Sequence, residues 1–170
     1  YAGAPEVKVS ALSGSTWISM TVDYGRFADG HLSMQQDSFG RLLIGYHDEL
    51  EEDLRFARLE GSTLYTETVD STGNAGQFVA VALGTGGLPA LSYYDSTHGL
   101  LKYAFWDGWQ WRFETVARGL APGSTFLGFV NDQTAVIAYY DSGNGDLLVA
   151  QRSLGPPTDT AYLPVVVAAP

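Results

Sequence analysis

Hydrophobic positions along this chain fall in short runs separated by Gly, Asp, Ser and Asn. Between residues 62 and 108 the runs "LYTETV", "FVAVAL", "PALSYY" and "LLKYAFW" alternate with "DSTGNAG", "GTGG" and "DSTHG". Runs this short, rich in Val, Tyr, Phe and Thr and bounded by turn formers, predict β-strands. No window carries an apolar stripe at helical spacing, so the expected class is all-β. One kind of run ("LLIGYH", "ALSYY", "VIAYY") is apolar at successive positions rather than alternate ones. That pattern fits a strand covered on both faces.

The pattern also repeats. Gly14, Gly61, Gly108 and Gly155 stand 47 residues apart, as do Val22, Val69 and Val116. Tyr46, Tyr93 and Tyr139 follow with spacings of 47 and 46, with Asp48, Asp95 and Asp141 in step. These columns divide the chain into units 15–61, 62–108 and 109–155. Four strands per unit at this period predict blades of a β-propeller, each a sheet of four antiparallel strands. The recurring glycines are expected at turns that need unusual backbone angles. The Asp that ends each "YYD"-type run is expected to accept hydrogen bonds from the following turn's amides.

The set Tyr93, Asp95, Gly99, Leu101, Tyr103, Ala104, Gly108, Trp111, Glu114 and Val116 resembles the propeller-type repeats of secreted bacterial proteins. That resemblance implies blades that stack on one another and a secreted protein, extracellular or at the cell surface. Unit 15–61 departs from the pattern, with "YHDELEED" where the second unit has "YYDSTHG".

Three blades fall short of the roughly four to eight that close a propeller. The flanks supply further strands. "EVKVSALSG" in residues 1–14 aligns with "DLRFARLEG" and "LLKYAFWDG", matching Lys8 with Arg55 and Lys102, and is expected to complete a blade. The Pro-rich tail 156–170 holds another β-branched run, in which Pro164 confines the strand to a sheet edge. End strands of this kind can pair with a neighbouring copy. The leading expectation is therefore a non-enzymatic structural protein that joins copies of itself into a ring or filament, through Val7, Val9, Tyr162, Leu163, Val165 and Val167.

Charge narrows the partners. Nine Lys and Arg against 19 Asp and Glu give a net charge of −10, which disfavours nucleic acid. The apolar tail "YLPVVVAAP" is about half of the roughly 20 residues a membrane helix needs, so membrane insertion is not expected. The chain has no Cys, which removes disulfides and thiol nucleophiles together.

The strongest rival to a structural role is carbohydrate binding, as in small propeller lectins built from short chains of repeated blades. Trp106 and Trp109 flank the Asp107-Gly108 turn and are candidate stacking rings, with Asp95 and Asp141 as candidate acceptors for sugar hydroxyls. Asp48, Glu49 and Asp53 in the densest acidic run are weak calcium candidates; no other cofactor is expected. His31, His47 and His98 occupy different places in the repeat and do not predict a metal site. Glu67 and Glu114, repeat mates expected on innermost strands, make glycoside hydrolysis a third reading.

Overall fold

The computed structural model describes residues 6–24, 30–119, 122–130, 133–153 and 163–165. They form strands β1 (Glu6–Ser13), β2 (Thr16–Tyr24), β3 (Leu32–Gln36), β4 (Leu42–Asp48), β5 (Asp53–Glu60), β6 (Thr63–Asp70) and β7 (Ala75–Leu83). After a 3-10 turn at Thr85–Gly87 come β8 (Pro89–Asp95), β9 (Leu100–Trp106), β10 (Trp111–Arg118), β11 (Pro122–Val130), β12 (Thr134–Asp141), β13 (Asp146–Ser153) and β14 (Leu163–Val165). Three antiparallel four-stranded sheets run in the orders β3-β4-β5-β6, β7-β8-β9-β10 and β11-β12-β13-β14, and a fourth sheet is the β1-β2 hairpin. The all-β, blade-like architecture is as the sequence predicts. Among the described residues no helix is long and apolar enough to cross a membrane.

The sheets sit one strand out of phase with the units 15–61, 62–108 and 109–155. Residues 62–108 hold β6 to β9, whereas the hydrogen-bonded sheet is β7 to β10. A periodic sequence defines a period and leaves its starting point open. The turns at Gly14, Gly61 and Gly108 are hairpins inside sheets, between their third and fourth strand positions, and all three glycines have positive φ (63°, 58° and 100°). The passage from one blade to the next falls elsewhere, at 70–75 and at 118–122. In this frame the β1-β2 hairpin takes the two outer positions of a blade.

First strands face each other: β7 packs against β3 on one side and β11 on the other. Fourth strands lie outermost, which moves Glu67 (β6) and Glu114 (β10) away from the innermost position expected for them. The strands read as doubly covered, β4 and β8, are buried at almost every position, whereas β12 alternates. Close approach is demanded at Gly45: a Cβ there would stand 2.9 Å from Val81 Cγ2 and 3.0 Å from Leu91 Cδ2. Only a residue without a side chain lets β4 meet the second blade so tightly.

A polar staple recurs between blades. Tyr46 Oη donates to Asp23 at 2.5 Å, and Arg55 reaches the same carboxylate at 3.2 Å. One blade on, Tyr93 Oη donates to Asp70 at 2.6 Å and Lys102 Nζ donates to it as well. In each case the acid comes from the fourth strand of one blade, and the tyrosine and cation from the second and third strands of the next. The third copy lacks it, because Ala117 stands where Asp23 and Asp70 stand before. Burial lifts the Tyr93 hydroxyl far above its ordinary pKa, and the Asp70 charge adds to the effect.

The end strands pair within the chain. β14 pairs with β13 as the edge of the third sheet, with Pro164 opposite Ala150, as a proline on an edge strand should be. Val7 and Val9 pack with Ile44, Tyr46 and Ala57 of the same chain, so they serve a contact between neighbouring blades rather than a contact with another copy. Leu163 and Val165 belong to β14, while Tyr162 and Val167 lie outside the described residues.

Candidate functional site

The clearest candidate site opens between the first two full blades. Phe56 and Arg58 lie on one face of β5, since alternate residues of a strand share a face. Register brings Leu43 of β4 opposite Arg58, and Tyr65 and Glu67 of β6 opposite Arg58 and Phe56. The second blade supplies the other wall. Trp106 and Trp111 are direct cross-strand partners there, their rings 5.7 Å apart at 70°. Trp111 stands edge-on to Phe56 at 5.2 Å and its Nε1 donates to Glu67 Oε1 at 3.2 Å. Together with the Gly86–Pro89 turn these residues line a cavity of about 190 Å³. That is below the ~300–1,000 Å³ of drug-sized ligand sites and suits one small ring.

The charges in this cavity differ in how far they are committed. Arg41 gives its Nε to Asp37 at 2.5 Å, and Asp37 is held below the ordinary carboxylate range: burial would raise it, but Arg41 and two backbone amides outweigh burial. Arg58 makes no hydrogen bond or ion pair among the described residues. Its guanidinium lies 4.6 Å over the Tyr65 ring, and its Nε is shut from solvent without a partner. A buried N–H left unpaired is costly, and Arg58 as a whole is half-buried and lines the cavity, where its guanidinium can meet an acceptor from a ligand. Beside it on the next strand Glu67, solvent-exposed, accepts one bond from Trp111 and has lone pairs to spare.

The full set occurs once. At the preceding repeat position Arg58, Glu67 and Trp111 are replaced by Ala11, Met20 and Leu64. At the following position Phe105 replaces Arg58, and Glu114 is taken by Arg152, whose Nε lies 2.8–2.9 Å from both carboxylate oxygens. The two glutamates are thus held in different ways on different blades, and Glu67 is the one acid among the described residues lining the cavity. A paired-carboxylate arrangement for glycoside hydrolysis is not formed there.

Of the residues singled out from sequence, Glu67, Trp106 and Trp111 line the cavity. Trp109 sits at a hairpin tip, 89% exposed, away from it. Asp95 and Asp141 are buried and serve their turns, accepting from the His98 and Gly143 amides at 3.1 and 3.0 Å. Asp95 also bonds His98 Nδ1 at 2.8 Å, and Asp141 accepts from Asn144. A strand-ending aspartate cannot serve its turn and a sugar with the same buried oxygens. Asp48 likewise is fully buried and accepts from the Leu50 and Glu51 amides. Among the described residues no group of three or more His, Cys, Asp or Glu is placed to hold a metal ion, Asp48, Glu49 and Asp53 included. Arg58 escaped the sequence reading because it sits in a column that does not recur; the signal was the break itself, Arg between Ala11 and Phe105.

The sequence matches no protein-family model and no curated protein. Solved structures do share the fold. A variant of the Aleuria aurantia lectin, in complex with α-methyl-L-fucoside, superposes with a TM-score of 0.60 at 16% identity over 98% of this chain. This chain spans 55% of that lectin's length. A fucose lectin from Kordia zhangzhouensis, in complex with methyl-fucoside, gives a TM-score of 0.49 at 13% identity, covering 76% of this chain and 96% of its own. At such identity the first likeness is one of fold: this chain is built as propeller blades.

Proposed function

We propose that this chain is a carbohydrate-binding, lectin-like propeller protein that holds one neutral monosaccharide unit between its first two full blades. The observation that carries the reading is Arg58, a guanidinium without a hydrogen-bonding partner among the described residues, beside Glu67 on the first-blade wall of a cavity whose other wall holds Trp111 and Trp106. A donor and an acceptor side by side on one wall can grip neighbouring sugar hydroxyls, and charged hydrogen bonds are the stronger kind. The aromatic walls receive the sugar's C–H face. A net charge of −10 disfavours acidic sugars. Binding without turnover fits the single carboxylate. The same reading places the protein outside the cell, where free and surface glycans are met.

The Aleuria aurantia lectin variant is in complex with α-methyl-L-fucoside, so methyl-α-L-fucoside is the first probe. Isothermal titration calorimetry is expected to give one site per chain, because Ala11, Met20 and Leu64 break the preceding position and Arg152 occupies Glu114 in the following one. Two or more equal sites per chain, or no heat with fucoside, mannoside or galactoside alike, would overturn the reading.

Self-assembly is the second reading, carried by a different observation. The hairpin presents Leu12 and Trp17, direct partners that are 57% and 68% exposed, and the third blade presents Phe126 and Leu147 at 65% and 61%. Leu59, the repeat mate of Leu12, is buried. Light scattering on the titrated sample separates the readings: a mass of 18.3 kDa removes assembly, and a multiple of it adds assembly to sugar binding.

A further inference from the structure

A second cavity, of about 180 Å³, lies on the other side of Trp106, between the second and third blades. It occupies the repeat-equivalent place of the sugar cavity, and its chemistry has been inverted. Leu88 stands where the first cavity has Arg41, Ala90 where it has Leu43, Tyr103 where it has Phe56, and Phe105 where it has Arg58. Both arginines have become apolar, and one phenylalanine has gained a hydroxyl. Phe129 of the third blade closes the wall. It packs so near Gly84 that a Cβ there would stand 2.9 Å from its ring.

The walls suit a flat ring. Tyr103 and Phe105 are stacked at 5.5 Å and 25°, with Trp106 and Phe129 completing an aromatic enclosure. The polar groups are few and mostly committed. Asp107 at the rim binds Arg112 at 2.6 Å and the Trp109 and Gln110 amides at 2.9 Å, and Thr85 has a partner of its own. Tyr103 is the exception. It is fully buried, and its hydroxyl has no hydrogen-bond partner among the described residues. Buried hydroxyls nearly always have one, so this orphan is an observation independent of the cavity.

We propose that this second cavity binds a small, largely apolar ring compound carrying one hydrogen-bonding group, a phenol-like molecule, with Tyr103 as its polar contact. The inference stands apart from the sugar reading, since Arg58, Glu67 and Trp111 do not line this second cavity.

Fluorine NMR with 4-fluorophenol and 4-fluorotoluene tests it on the intact chain. The expected result is line broadening of both probes by the wild-type protein, stronger for 4-fluorophenol. Tyr103→Phe is expected to weaken 4-fluorophenol about tenfold, the loss of one hydrogen bond, and to leave 4-fluorotoluene unchanged. Phe105→Arg, which restores the residue type of the first cavity, is expected to abolish binding of both. Should that variant fail to fold by thermal melting, Ala90→Val fills the same space with two methyl groups and replaces it. No broadening of either probe by the wild type, or equal 4-fluorophenol affinity in Tyr103→Phe, overturns the proposal.

Discussion

Replacing Arg58 with Ala is expected to weaken methyl-α-L-fucoside binding by about 10- to 150-fold while leaving the fold intact. The range is the ~1.5–3 kcal/mol that a hydrogen bond to a charged group is worth. The separation of the two effects follows from the site. Arg58 makes no hydrogen bond or ion pair within the described chain, so its removal orphans nothing, and the cost to stability is the packing of its stem over Tyr65. Glu67→Gln should weaken binding by a similar factor, since the amide keeps the shape and loses the charge. A variant that melts like the wild type and binds as tightly would remove Arg58 from the site. Arg152→Ala is the matched control: it should cost stability, by removing the cation that holds Glu114, and leave the affinity of the first cavity unchanged.

The largest expected loss of stability comes from Asp70→Ala, at about 3–5 kcal/mol in chemical denaturation. Asp70 and Lys102 have side chains only 5% and 12% exposed, and Tyr93 donates to the same carboxylate. Removing the acid strands the Tyr93 hydroxyl between two blades and leaves Lys102 the more distant Asp95 carboxylate, at 4.0 Å. The pH dependence has a definite sign. Burial alone would raise the Asp70 pKa, but the bonds from Lys102, Tyr93 and the Thr72 amide outweigh it and hold the folded value below the ordinary one. Its contribution is therefore complete above the unfolded value near ~3.9 and is lost as pH falls through the lower folded value. The gap between wild type and Asp70→Ala should be constant from neutral pH down to about that value and shrink below it. A gap that stays constant into strong acid would contradict the staple.

These two residues show what was readable in the sequence and what was not. The period, the all-β class and the turn glycines were readable, because Gly14, Gly61 and Gly108 each meet the same demand for positive φ. Lys8, Arg55 and Lys102 were readable as a column. Their partners Asp23 and Asp70 were not, since a staple that joins neighbouring blades spans 32 residues in sequence and fails in the third copy. The phase of the blades was hidden for a different reason: turns within a sheet and passages between sheets use the same Gly, Asp and Ser. Candidate sugar contacts were sought at the tryptophans flanking one turn and at the recurring aspartates. Trp106 was found at that turn, but Asp95 and Asp141 recur because every blade needs its turn. In a repeat protein, what recurs answers to stacking. A binding site is better sought where one copy departs from the others, as Arg58 does.

The most direct measurement is a two-dimensional NMR titration of the wild-type chain with methyl-α-L-fucoside, following the four tryptophan indole N–H signals and the Arg58 Nε–H. The account predicts that Trp111 and Arg58 move together and saturably, because the sugar competes for Glu67 and supplies the acceptor Arg58 lacks. Trp106 should move less, and Trp17 and Trp109 should stay in place. Saturable shifts confined to Trp17 or Trp109, or a spectrum that no neutral monosaccharide disturbs, would contradict it.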